Sequence, residues 1–505
     1  MEVVERYNIY DWILVVYVHE IPYYIHQSDA IVRCIVEAAS GVAAPLRGRV
    51  AVFVIKETVR QVMEPLPSFG AQTGGMVCDE AGGVVDPGRL GPVNYYRLTV
   101  SELQFDERGV ARLVEILGDG VEVPAVGVGV SGSSVGVRGA GVGFPGVGVG
   151  VSAGTRYEGR DGWRHALRST FPRVKARRRM LVSFSHGAAF GINVDMEGLM
   201  RVQGRIVREE LPILWSDDLA AELKNCLGGQ PIDVLLLNNC YMQCFETGYA
   251  LKDQVRFIVA AEGALEAMGY DYAGLMKRLF EEPGGDDEGS GGDHHEAPGD
   301  AVGALVKGII EDYSATISCE GQAVFANRTV EYGLLLVLLE RVIAILLQRM
   351  DEVIDVLVDI RENKLLYVSA PLNGYTSNYL CMIDLFAWVD MVFDRLDHLF
   401  VGVGLAADFA ALRQRMVVAG KVGEGLVEHD AGWAGAVKMP IYGYSGLSIF
   451  YPRATDWQVL RPIPRCAPLV DEWKCFLAAY YARSPLGPGP AIKNPGLSWG
   501  PGMKC

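Results

Sequence analysis

Apolar residues along this chain collect into short continuous runs separated by polar, glycine-rich connections. Asp11 to Val18 (DWILVVYV), Arg49 to Lys56 (RVAVFVIK), Met180 to Ser185 (MLVSFS), Val234 to Asn238 (VLLLN) and Val255 to Ala261 (VRFIVAA) have the density of strands buried on both faces. Helical spacing follows over Asp29 to Ala39, Trp163 to Thr170, Ser216 to Leu227 and Met242 to Leu251. The Ser216 helix has Asp217 and Asp218 in its first turn and Gly228-Gly229 at its end. The opening strand–helix–strand order predicts an α/β domain of three layers. Tyr95 to Val100 reads as a further strand, Arg108 to Leu117 as a short helix, and residues 57–94 as a long loop.

Beyond residue 280 the pattern changes. Glu281 to Asp300 is acidic and glycine-rich, a self-repelling linker. From 301 to 435 helical spacing dominates, with Tyr379 to Phe393 amphipathic. Tyr444 to Pro452 (YSGLSIFYP) returns to strand character, and Glu472 to Tyr480 reads as a closing helix. The predicted organisation is a core over 1–280 with a Gly/Val-rich insertion at 118–155, the linker 281–300, and a mainly helical region 301–435. The strand and helix of 436–483 rejoin the core, and 484–505 is a Pro/Gly-rich tail. A Gly-x-Gly-x-x-Gly string at 141–146 lies inside the insertion. No strand precedes it and no helix follows, so it is not read as a dinucleotide site.

Composition narrows the function classes. The net charge of −15 argues against nucleic acid as the main partner. The most apolar run, Gly333 to Leu347, is broken by Glu340 and Arg341, so no membrane span is expected. The opening MEVVERYNIYDW does not read as a signal peptide. The 10 cysteines are scattered without the density of a disulfide scaffold, and the expected setting is cytoplasmic and reduced. Cys240 and Cys244 have no second Cys/His pair at ligand spacing, and His294-His295-Glu296 reads as solvated linker. No metal site is therefore expected.

Candidate chemistry lies at two strand ends. Met180 to Ser185 stops at His186-Gly187, and Val234 to Asn238 stops at Asn239-Cys240. In parallel α/β sheets the carboxyl ends of strands are where side chains leave the core and meet ligands. A thiol needs a base, and an imidazole beside it would take its proton and hold the thiolate. His19 also follows a strand and is the rival to His186. Cys244, one helical turn beyond Cys240, is expected to pack.

SFSHGAA, followed about fifty residues later by LLLNNCYMQCFETGYAL, resembles the clostripain family of cysteine peptidases, relatives of caspases and separase. In that family one strand ends in His-Gly and a later one in Asp-Ala-Cys-Leu-Met. The late GLSIFYP and the closing W-x-x-F-L-x-x-Y helix resemble the same family. The resemblance implies a caspase-like fold with a largely parallel sheet, His186 as base, and Cys240 as nucleophile. It implies Gly187 and Cys240 as the backbone donors of an oxyanion hole. Asn238 stands where the family has Asp, which helps receive a substrate Arg or Lys, so preference for a basic residue is in question. Glu262, Asp271 and Asp195 are candidates to supply the missing charge.

The resemblance also implies internal cleavage between the histidine and cysteine strands, within 195–210, which holds Arg201, Arg205 and Arg208. No cofactor is required; calcium enters through the family alone, since no oxygen-rich loop is visible. The expected activity is an endopeptidase acting on a protein or peptide, with room for a regulatory protein partner. The alternative is a catalytically silent interaction module on the same fold.

Overall fold

The computed structural model describes residues 9–20, 25–65, 90–117, 123–125, 159–187, 189–193, 213–263, 265, 269–281, 300–316, 323–361, 382–423, 426–429, 437–440, 444–451 and 469–484. The glycine-rich string at 141–146, His294-His295, Asp195, Arg201, Arg205, Arg208 and the tail beyond 484 lie outside these residues.

The centre of the fold is parallel. β1 (Ile9–Glu20), β2 (Val50–Pro65), β6 (Lys175–Phe184), β9 (Ile232–Asn238) and β10 (Val255–Ala261) lie side by side in the order β10-β9-β6-β1-β2, each pair parallel. Antiparallel strands extend both flanks. β3 (Leu90–Phe105) and β4 (Ala111–Leu117) follow β2, and the three-residue β5 (Val123–Ala125) pairs with β3. β11 (Ala323–Arg328) and β13 (Val417–Val422) continue beyond β10. The short β7 (Gly191–Ile192) and β8 (Leu214–Trp215) form a separate pair, as do β12 (Met382–Asp384) and β16 (Ser448–Phe450). A last pair joins β14 (Leu426–His429) to β15 (Val437–Pro440).

Strand alternation sorts the apolar runs into two layers. On β9, Val234 and Leu236 join the core that contains Ile31 and Ile35 of α1 (Ile25–Ser40). Leu235 and Leu237 face the opposite core, with Trp163 and Leu167 of α2 (Gly159–Thr170) and Leu219 and Leu223 of α3 (Ser216–Leu227). Both faces are dry, which is why the run is continuously apolar. Each such leucine contributes about 1.5–3 kcal/mol. After β9 come α4 (Phe245–Leu251), α5 (Tyr272–Glu281) and α6 (Asp300–Thr316); α5 and α6 pack on the α1 side. The result is the three-layer α/β/α architecture expected from the sequence.

A third core lies beside the sheet. It unites Phe245 of α4 with α7 (Tyr332–Gln348), α8 (Met350–Arg361), α9 (Leu385–Arg395), α10 (Leu405–Met416) and α11 (Asp471–Arg483). Trp473 on α11 donates its indole N–H to the Phe450 carbonyl at 2.7 Å, and its ring meets Trp388 and Tyr451 edge-on. This cluster ties the closing helix to β16. In turn, Ser448 of β16 donates its backbone N–H to the Gln243 carbonyl at 3.0 Å, so the late strand docks just past Cys240.

Several local expectations are corrected. Arg108 to Leu117 is not helical: Asp106 accepts the N–H groups of Arg108 and Val110 at 3.0 and 2.9 Å, and Gly109 adopts φ 80°. That turn sends the chain back as β4. The loop assigned to 57–94 is shorter, because β2 runs to Pro65 and β3 begins at Leu90. The helix expected from Met242 begins at Phe245, and Met382–Asp384 is a strand before the helix at Leu385. The mainly helical region 301–435 also gives β11 and β13 to the central sheet.

Candidate active site

β6 and β9 are parallel neighbours in which Phe184 pairs with Asn238. His186 and Cys240 are each two residues further on, so the register carries them off adjacent strand tips at the same level. The two turns pass close together. A Cβ placed on Gly187 would lie 2.3 Å from the Cys240 carbonyl oxygen and 3.0 Å from its nitrogen. Only a residue without a side chain allows that approach.

Backbone strain concentrates here. Among the described residues, three other than glycine have positive φ: Ala189 (58°), Asn193 (54°) and Tyr241 (61°). Two follow His186 and the third follows Cys240. Such placements cost about 1–2 kcal/mol each for an L-residue and cluster where function over-determines the backbone. Tyr241 is held in place by its N–H, which donates to the Gly263 carbonyl at 2.8 Å.

Cys240 is half-buried and carries a free thiol. Its sulfur accepts the Leu265 N–H at 3.4 Å and donates to the Leu265 carbonyl at 3.7 Å. Burial pushes the thiol pKa up, partly offset by the Leu265 N–H. In these surroundings the thiol alone is a poor nucleophile, and it needs a base beside it to react. Cys244 is fully enclosed, donates to the Ala189 carbonyl at 2.8 Å, and has its pKa raised further by burial and by Glu246. It packs, as expected.

Residues 164–387 match the family model of the clostripain family. Over this segment the chain is similar to the clostripain family of cysteine peptidases. The fold agrees with a structure described as an inactive zymogen C11 protease from Parabacteroides distasonis. That likeness covers 92% of this chain and 98% of that one at 13% identity, with a TM-score of 0.54. A secreted C11 cysteine protease from Bacteroides thetaiotaomicron covers 94% and 99% at 13% identity, with a TM-score of 0.49. No curated protein matches by sequence.

The rival histidine is engaged elsewhere. His19 is 3% exposed and its Nδ1 lies 2.6 Å from Glu57 Oε2, which also accepts the Tyr17 hydroxyl at 2.8 Å. Tyr17 stacks on Trp163 at 4.1 Å. Alternation along β1 puts His19 in the same row as Tyr17, facing α2. Alternation along β9 continues Leu236 and Asn238 toward α5.

The selectivity candidates separate. Asn238 is buried on the α5 side and donates its amide to the Tyr272 hydroxyl at 2.8 Å. Asp271 caps α5 by accepting the Gly274 N–H at 2.9 Å. Glu262 is fully buried and accepts the Gly446 N–H at 3.0 Å, with the Asp384 carboxyl near enough to act on its charge. Burial and the Asp384 charge raise its pKa well above the ordinary carboxyl value. That carboxyl is committed to joining the tip of β10 to the loop before β16.

No local pattern singles out Ser185 or Asn239, yet both lie in the contact between the two tips. The polar Asn-Asn pair ending an apolar run was the available signal. Among the described residues no cluster of His, Cys, Asp and Glu could hold a metal, and no helix is long and apolar enough to cross a membrane.

Proposed function

We propose that this chain is a clostripain-family cysteine endopeptidase in which His186 takes the proton of Cys240. The thiolate attacks the scissile carbonyl, the amine leaves with the proton, and water releases the acyl group from sulfur. The backbone N–H groups of Gly187 and Cys240 bind the oxyanion. The observation carrying this reading is the close approach of Gly187 to the Cys240 backbone at in-register strand tips. A peptide-library digest tests it. Hydrolysis by wild type, lost in both Cys240→Ala and His186→Ala, is expected; equal cleavage by either variant excludes the dyad.

Asn238 is the proposed floor of the pocket for the residue before the cut. A neutral amide offers no charge to offset a buried cation, so strict preference for Arg or Lys is not expected. Asp271 and Glu262, engaged as above, are weaker candidates for that role. Self-processing, where it occurs, falls at Arg201, Arg205 or Arg208. Intact mass of wild type against Cys240→Ala checks this, since fragments from both exclude self-cleavage. Calcium is carried as a family trait, tested by activity in chelator.

The cytoplasmic setting is proposed on four free thiols among the described residues, at Cys34, Cys226, Cys240 and Cys244. Cys475 on α11 weighs against it, because it is disulfide-bonded and such bonds persist in oxidising compartments. A thiol count on protein purified without reductant decides whether that bond forms.

A further inference from the structure

The tips of β6 and β9 are joined by more than the ladder. Asn239, the residue before Cys240, is 1% exposed. Its amide nitrogen donates to the Ser185 carbonyl at 2.9 Å, to the Ser185 hydroxyl at 2.6 Å, and more weakly toward the His186 carbonyl at 3.5 Å. The Ser185 hydroxyl donates to the His186 carbonyl at 3.0 Å and accepts the Asn193 N–H at 2.9 Å. One side chain therefore grips the backbone on either side of the His186 Cα, and the grip extends to the strained turn at Asn193.

This arrangement is expensive if it serves folding alone. The Asn239 Oδ1 is buried and has no partner among the described residues. An apolar residue of similar size would avoid leaving a buried acceptor unpaired.

We propose that Asn239 is a positioning residue: through Ser185 and the His186 carbonyl it fixes the imidazole of His186 relative to the thiol of Cys240. The inference rests on the dyad proposed above. Asn239 touches neither substrate nor proton. It acts by setting the separation of two backbones whose side chains must meet, and an error of about 1 Å in such a placement costs on the order of a hundredfold in rate.

The test is the pH dependence of Cys240 alkylation by iodoacetamide in the full-length protein, with thermal unfolding recorded on the same samples. A thiol paired with imidazole ionises below the range of a free thiol, so its alkylation profile has a low midpoint. In Asn239→Ala the midpoint is expected to move up toward that of an unpaired thiol. The rate at pH 7 should fall at least about tenfold, with less than about a twofold change near pH 10, where the thiol ionises unaided. A merely structural role would lower the rate by the same factor at every pH. That uniform loss, or a profile identical to wild type, overturns the proposal. Ser185→Ala, which removes only the hydroxyl leg, carries the same test if Asn239→Ala does not fold; an unmoved midpoint there also overturns it. Wild type that already shows a free-thiol profile, matched by His186→Ala, overturns the dyad itself. An unchanged Asn239→Ala beside a shifted His186→Ala overturns the clasp alone.

Discussion

A methyl group on Gly187 would lie 2.3 Å from the carbonyl oxygen of Cys240, closer than any Cβ contact that proteins tolerate. The two residues are thus mutually dependent. The turn after the β6 strand has room only because it lacks a side chain, and this lets the backbones of the two residues come together. Gly187→Ala forces one turn away from the other. Turnover is expected to fall by about 10² to 10³, the loss typical of removing an oxyanion donor, with about 1–3 kcal/mol of overpacking cost. Steady-state kinetics beside denaturant unfolding checks both numbers.

His19 is engaged by Glu57 on the α2 side of the sheet. His19→Ala leaves the Glu57 carboxylate buried without its imidazole partner, which is expected to destabilise the fold by about 3–5 kcal/mol. On the folded fraction, Cys240 should still react with a peptide acyloxymethyl-ketone probe. Loss of labelling in folded His19→Ala would return that residue to the list of bases.

Asn238→Asp adds the charge that the proposed pocket lacks. The Tyr272 hydroxyl, 2.8 Å away, can donate to the new carboxylate, so the exchange keeps a hydrogen bond. The ratio of kcat/KM for a substrate cut after Arg to one cut after a neutral residue should rise at least about tenfold, the effect of about 1.4 kcal/mol. An unchanged ratio would remove Asn238 from the pocket.

Glu246 on α4 is fully buried and accepts the Phe450 N–H at 3.0 Å, and burial pushes its pKa up to about 7. In the unfolded chain it ionises near 4.5. The folded form thus holds a proton that the unfolded form has released, and stability falls as pH rises from about 4.5 to about 7. The loss from this group is about 3 kcal/mol. Glu246→Gln keeps an acceptor for Phe450 and carries no charge. Its unfolding free energy should match wild type near pH 4.5 and exceed it at pH 8. The buried Glu262 and Asp384 carboxyls, both raised by burial, act in the same direction.

Much of the sheet was legible because a strand buried on both faces must be apolar at every position. MLVSFS and VLLLN satisfy that, and their ends mark the turns that carry His186 and Cys240. Edge and antiparallel strands were harder. Ala111 to Leu117 carries Arg112 and Glu115 on exposed positions, so its spacing mimics a helix, and only the Asp106 turn decides the matter. β11 and β13 were hidden for a similar reason. They lie amid long helical runs, and what makes them strands is the exposed flank of β10, far away in sequence.

The site divides in the same way. A strand-end cysteine and a strand-end histidine can be found by local pattern. The work of Asn239 and Ser185 cannot, because each is defined by a partner across the strand boundary. Glu262 shows the reverse error of locality. Its closeness in sequence to β10's tip suggested a free charge near the strand tips, whereas it is buried in the interior and held by the Gly446 N–H.

The most direct measurement is the position of covalent attachment of one equivalent of a peptide acyloxymethyl-ketone at pH 7, mapped by mass spectrometry. Four free thiols are available among the described residues, and Cys34 and Cys226 are half-buried like Cys240. Selective modification of Cys240, abolished in folded His186→Ala, is the predicted result. Attachment spread over Cys34, Cys226 and Cys240, or undiminished in His186→Ala, would contradict an imidazole-activated nucleophile at these strand tips.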